Sequence, residues 1–189
     1  MFIDTEKYPF LGGISDRHNT IRREFFRAAK KYQPLDGALH GRANYIDQHL
    51  DEWVDENGFH PDQIGYDIRG GSYSGFSLYK EGKPNTISLA SSFEKTMALL
   101  GTIPKLHFAA FVIMTPGALL KEHAHSQSRL IFHTLLNDLV GGKCKMTCGG
   151  DVRSLAKAGD SVLFNYSIPH SSVNHASNNR INLIIDFDE

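Results

Sequence analysis

In the run TPGALLKEHAHSQSRLIFH, His123 and His125 stand two residues apart, so on an extended strand their imidazoles leave the same face and can close on one metal ion. They belong to a concentration: six of the ten histidines, His107, His123, His125, His133, His170 and His175, lie beyond Pro104. An HxH pair alone more often reports hydrogen-bonded histidines than a metal site, but its neighbours change that weighing. In the next strand-like run Arg129, Ile131, His133 and Leu135 share a face, which points a cation and a further imidazole the same way. Downstream, His170 follows a strand and a proline turn, and Arg180 opens another strand ten residues on. A hairpin between them would bring the imidazole and the guanidinium onto neighbouring strands. Two or three imidazoles that leave coordination positions open suit a non-haem iron centre, where a 2-oxoacid takes two positions and dioxygen one. The far carboxylate of such a cosubstrate needs a bidentate cation, for which Arg is better built than Lys.

The elements that must position these groups change character at Pro104. Before it the pattern is mainly helical. From Ser15, read as a capping residue, Ile21, Phe25, Phe26 and Ala29 recur at helical spacing until Pro34. A second stripe, Ile46, Leu50, Trp53 and Val54, ends at Gly58. A third helix opens with a capping box, Ser91 to Glu94, turns Phe93, Met97 and Leu100 inward, and stops before Pro104. RGGSYSG, from Arg69 to Gly75, reads as a tight turn. After Pro104 short strands are expected at 106–114, 118–125, 129–136, 143–148, 161–166, 171–175 and 180–187. Seven closely spaced strands argue for a sandwich or barrel with the helices packed outside it. The expectation is a mainly β chain with flanking helices, a double-stranded β-helix (jelly roll, cupin-like). It forms a single domain, 1–189, whose helical part, about 1–104, packs on a jelly-roll core, about 105–189.

Composition narrows the function classes. Lys plus Arg total 20 against 21 for Asp plus Glu, so no net field draws a polyanion, and no nucleic-acid partner is expected. The run Arg22, Arg23, Arg27, Lys30, Lys31 reads as a solvated helix face. MFIDTEKYPF lacks the basic start and apolar run of a secretory signal, and no stretch reaches the ~18 apolar residues of a membrane span. A cytoplasmic protein without a membrane partner is expected. Cys144 and Cys148 fall on one strand face about 13 Å apart, too far to bridge, and read as reduced core thiols.

The resemblance becomes specific over SSFEKTMALLGTIPKLHFAAFVIMTPGALLKEHAH, continued through RLIFHTLL, CKMTC and GDSVLFNYSIPHSSVN to Arg180. This C-terminal half resembles the aspartyl/asparaginyl β-hydroxylases, oxygenases dependent on iron(II) and 2-oxoglutarate. The resemblance implies that His123 and His170 bind iron, that Arg180 holds the distal carboxylate of 2-oxoglutarate, and that His133 lies near its other end. Arg129 begins the same RLxxH pattern and is a further candidate for the cosubstrate site. It also implies hydroxylation of an amino-acid side chain, free or in a peptide, or of another small substrate. Two residues depart from the pattern. His125 stands where many related oxygenases carry a carboxylate ligand, as a third metal ligand, a group behind the ligands, or a substrate contact. Ile131 stands where some relatives have an additional arginine. Two other readings stay open: a cupin, since Gly117, His123, His125, His170 and Asn174 fit parts of the cupin metal motif, and a non-catalytic binding module.

Overall fold

The computed structural model describes residues 1–31, 68–71, 73–84 and 92–189. Alternation of apolar side chains after Pro104 resolves into strands β5 (Leu106–Met114), β6 (Leu119–His123), β7 (Leu130–Leu135), β8 (Cys144–Cys148), β10 (Ser161–Asn165), β11 (His170–Asn174) and β12 (Arg180–Phe187). These follow the sequence expectations, with most ends drawn in by one or two residues. An eighth, β9 (Asp151–Leu155), was not expected: its DVRSL pattern leaves four of five residues exposed, so burial writes no alternation into it. Earlier residues also enter the sheets, as β1 (Phe2–Ile3), β2 (Ile68–Arg69), β3 (Tyr73–Lys80) and β4 (Lys83–Pro84). Of the tight turn expected over 69–75, Gly70 and Gly71 form a bend, whereas Tyr73 onward is strand: β3 pairs with β5 from Tyr73↔Met114. The β architecture therefore draws on residues before 105.

Two antiparallel sheets face each other, a seven-stranded one ordered β1-β10-β7-β12-β5-β3-β4 and a five-stranded one ordered β2-β6-β11-β8-β9. This interleaving of chain-distant strands is the double-stranded β-helix. It also corrects one expectation. His170 on β11 and Arg180 on β12 do not form a hairpin, because the connection between them crosses from one sheet to the other. They face each other across the interior instead of lying side by side.

Among the described residues the α-helices are α1 (Pro9–Ser15), α2 (His18–Lys31) and α3 (Glu94–Leu100), and they cover the outer face of the larger sheet. Ile21 and Phe25 from α2 and Phe93 and Leu100 at α3 are buried against Phe111, Phe132, Leu183 and Ile185 of the sheet. Phe25 and Phe93 both pack on Phe111, with ring centroids 5.0 and 4.9 Å away. Each buried phenyl contributes roughly 1.5–3 kcal/mol. A second core, with Leu135, Cys144, Met146, Cys148, Val162, Phe164 and Tyr166, fills one end of the space between the sheets. Both cysteines there are buried and free.

One capping expectation changes: Ser15 closes α1 and does not open α2, which starts at His18. The capping box from Ser91 and the stripe Ile46 to Val54 lie outside the described residues. At α3 the N-cap is Phe93, which makes no side-chain cap hydrogen bond. Two first-turn amides are satisfied by the buried carboxylate of Glu24 on α2. Its Oε1 accepts from Lys95 N at 2.9 Å, and its Oε2 from Thr96 N at 2.8 Å and Thr96 Oγ1 at 2.7 Å. An anion at a helix N-terminus also meets the positive end of the peptide dipoles. Among the described residues no helix is long and apolar enough to cross a membrane.

Candidate metal centre

The antiparallel pairing of β6 and β11 sets His123 directly opposite His170. Their rings lie 4.3 Å apart, centroid to centroid. His125 is past the end of β6, so strand alternation does not place it. Its backbone N–H donates to Tyr166 O at 3.1 Å, and its ring packs edge-on against the Tyr166 ring at 4.4 Å. The three imidazoles nevertheless offer nitrogens all within 4.8 Å of one another. Two nitrogens at ~2.1 Å from one metal stand at most about 4.2 Å apart, so small ring rotations suffice to share an ion. Among the described residues no carboxylate joins this group.

The ring orientations fit ligation. His123 Nδ1 lies 2.7 Å from Lys121 O, and His170 Nδ1 lies 2.8 Å from Ile168 O. A carbonyl only accepts, so both Nδ1 atoms carry the proton, which makes Nε2 the nitrogen of each ring that can ligate a metal. Burial pushes all three imidazoles toward the neutral form that a metal requires. For His170 burial dominates and the neighbouring His123 and His125 add to it, lowering its pKa to about 4. His123 is lowered by burial against the opposing effect of its carbonyl bond, and His125 by burial and then by His123.

The same interior holds Arg180, which is 1% exposed. Its Nε donates to Asn182 Oδ1 at 3.1 Å, Nη1 to Ser172 Oγ at 3.2 Å, and Nη2 to His133 Nδ1 at 3.1 Å. Its other contacts are thioethers, Met114 Sδ at 3.5 Å and Met146 Sδ at 3.8 Å. Among the described residues no carboxylate pairs with this guanidinium. A buried guanidinium is costly unless an anion balances it, so this residue is chemically suited to hold an anionic ligand. Because arginine can only donate, His133 Nδ1 must accept, and the His133 proton sits on Nε2. Burial first, then Arg180 and His170, keep His133 neutral by lowering its pKa well below the usual histidine value.

His123, His125, His133 and His170 line one cavity of about 50 Å³ with Tyr73, Ile131, Met146, Phe164 and Ser172. Tyr73 and Ser172 were missed in the sequence. Tyr73 was read as part of a turn, and Ser172 carries no signal that separates it from any strand serine. Arg129 is not brought into the cavity. It precedes β7 and turns away from His133, its Nε 2.7 Å from Asp188 Oδ1 and 4.0 Å from Asp186 Oδ1. Asp186 shares the inward face of β12 with Arg180, Asn182 and Ile184. It is 8% exposed, and its Oδ1 has no hydrogen-bond partner among the described residues. His107 and His175 stand apart from the group, and His175 is exposed.

Residues 41–189 match the sequence family described as aspartyl/asparaginyl beta-hydroxylase. No curated protein matches the chain. Solved structures with a similar fold include a predicted oxalate decarboxylase from Thermotoga maritima (15% identity, 66% of this chain and 92% of that chain, TM-score 0.42). KdgF from Halomonas sp. matches at 12% identity over 66% of this chain and 89% of that chain, TM-score 0.40. The cupin domain of an XRE-family transcriptional regulator from Enterobacter cloacae matches at 20% identity over 47% of this chain and 92% of that chain, TM-score 0.38.

Proposed function

Because the chain belongs to the aspartyl/asparaginyl β-hydroxylase family, we propose that it is an iron(II)- and 2-oxoglutarate-dependent dioxygenase. Its substrate is an amino-acid side chain, free or within a peptide, or another small molecule. The observation that carries this reading is Arg180, a guanidinium buried without a carboxylate among the described residues, on the wall opposite three convergent imidazoles. A cupin that uses no 2-oxoacid gives that residue no assigned task.

In this reading His123 and His170, with His125 beside them, would hold the iron and leave it accessible to the 2-oxoacid and dioxygen. The bound metal supplies dioxygen activation: 2-oxoglutarate is oxidised to succinate and carbon dioxide while one oxygen atom enters a substrate C–H bond. The protein's part is positional. Lys121 O and Ile168 O fix the ligand tautomers of His123 and His170. Arg180 holds the distal carboxylate, replacing its weak thioether contacts with charge-assisted bonds. His133 offers its Nε2 proton toward the cosubstrate, and Ile131 leaves that end without a second arginine. The enclosed space is small, and Met146, a flexible side chain that lines it and contacts Arg180 Nη2, would have to give way for a five-carbon dicarboxylate to reach that guanidinium.

Anaerobic titration of iron(II) with 2-oxoglutarate tests this through the visible charge-transfer band of a 2-oxoacid chelate. The band should need both components, fade in Arg180→Ala with metal still bound, and vanish in His170→Ala with the metal lost. Metal binding without a band in the wild type would overturn the reading in favour of a metal site of another kind.

A further inference from the structure

Beside Arg180 lies a hydroxyl to which no role has been given. Ser172, on β11, is 4% exposed and lines the cavity. Its Oγ accepts Nη1 of Arg180 at 3.2 Å, so its own proton must go elsewhere. The acceptor the structure provides is Met114 Sδ at 3.5 Å. A thioether is a poor acceptor, and the same sulfur also takes Arg180 Nη1. Two donors thus converge on one soft atom, while Arg180 Nη2 reaches a second thioether in Met146. Buried donors that face sulfur leave hydrogen-bond energy unrealised until an anionic oxygen takes its place.

The register closes the far side of this end. Tyr73 on β3 pairs with Met114 on β5, and Met114 pairs with Arg180 on β12, so the three stand in one row. Residues directly paired across strands point to one face, and Tyr73 lines the cavity as Ser172 does. The smaller sheet thus brings a hydroxyl, and the larger one a guanidinium and a phenol, to the end of the cavity where Arg180 sits.

We propose that Ser172 is a further cosubstrate-binding residue, donating its hydroxyl proton to the carboxylate that Arg180 holds, with Tyr73 walling that end. This rests on the 2-oxoglutarate reading above and adds a donor from the opposite sheet. The carboxylate is then clamped between the two sheets.

The test compares 2-oxoglutarate with 2-oxovalerate, which has the same chain length and no distal carboxylate, in anaerobic binding titrations with iron(II). Ser172→Ala should weaken 2-oxoglutarate roughly 10- to 100-fold, leave 2-oxovalerate within about twofold, and leave iron(II) affinity unchanged. Ser172→Thr, which keeps the hydroxyl, should bind 2-oxoglutarate like the wild type. Equal weakening of both oxoacids would make Ser172 a purely structural residue and overturn the proposal, as would an unchanged 2-oxoglutarate affinity. Failure of the wild type to bind 2-oxoglutarate in the presence of metal would instead remove the reading on which it rests.

Discussion

Asp186 offers a quantitative test of the electrostatics at the inward end of β12. Its carboxyl is pushed up from 3.8 to about 6, first by burial and further by the nearby Asp188, against the pull of Arg129 and a hydrogen bond with Tyr166. A carboxyl whose folded pKa is raised favours the folded state most when protonated. Its contribution is fully present below the unfolded value of 3.8 and is lost as pH climbs through about 6. The shift of about two units corresponds to roughly 3 kcal/mol between pH 3.5 and pH 7. Asp186→Asn keeps the shape of the neutral acid and removes the titration. Whatever packing difference the amide introduces is constant, and the histidines cancel between variant and wild type. The stability of Asp186→Asn relative to wild type should therefore rise by about 2–3 kcal/mol from pH 4 to pH 7. Urea denaturation of metal-free protein in chelator, at unit pH steps over that range, measures this difference. A difference that stays flat, or falls with pH, would refute the claim that Asp186 is held in a desolvating position.

Three further outcomes follow from the same geometry. Metal affinity should stay level from pH 7 to 8 and fall only on acidification below about 6.5, because His123, His125 and His170 are already neutral above it; competition titration with a chromophoric chelator measures this. His123→Ala and His170→Ala should each abolish tight binding of manganese(II), used as a non-oxidising stand-in. His125→Ala, at a position fixed by a loop contact to Tyr166, should retain weakened binding, and full loss there would make it an equal ligand. Glu24→Ala should cost roughly 2–4 kcal/mol in urea denaturation, since it leaves two amides and the Thr96 hydroxyl without their acceptor, while metal affinity is unchanged.

What could be read in the sequence was what burial writes into it. β5 through β8 and β10 through β12 were legible because burial selects their apolar residues, whereas His123, His125, His170 and Arg180 were singled out by residue type, spacing and family pattern. β9 was not, because an exposed edge strand needs no apolar face. β3 was masked by Gly75 and the serines around it, whose turn chemistry outweighed a strand set by pairing with β5. Local spacing also misled where the partner is distant in sequence. His170 and Arg180 looked like a hairpin but stand on different sheets, and Arg129 was drawn off by Asp188. No local spacing announced that the first-turn amides of α3 bond to Glu24 on another helix.

That last contact bears on how such chains can diverge. α3 has seven residues, too few to hold as an isolated helix in water. Its opening amides find their acceptor 71 and 72 positions back along the chain. α3 therefore depends on α2 for the acceptor of its first turn. Recombination that exchanged the N-terminal segment for another would keep that acceptor only where the incoming helix also presents an acidic side chain at that spot. The constraint is invisible to any comparison of the catalytic residues, and it would restrict which N-terminal segments can be joined to a barrel of this kind.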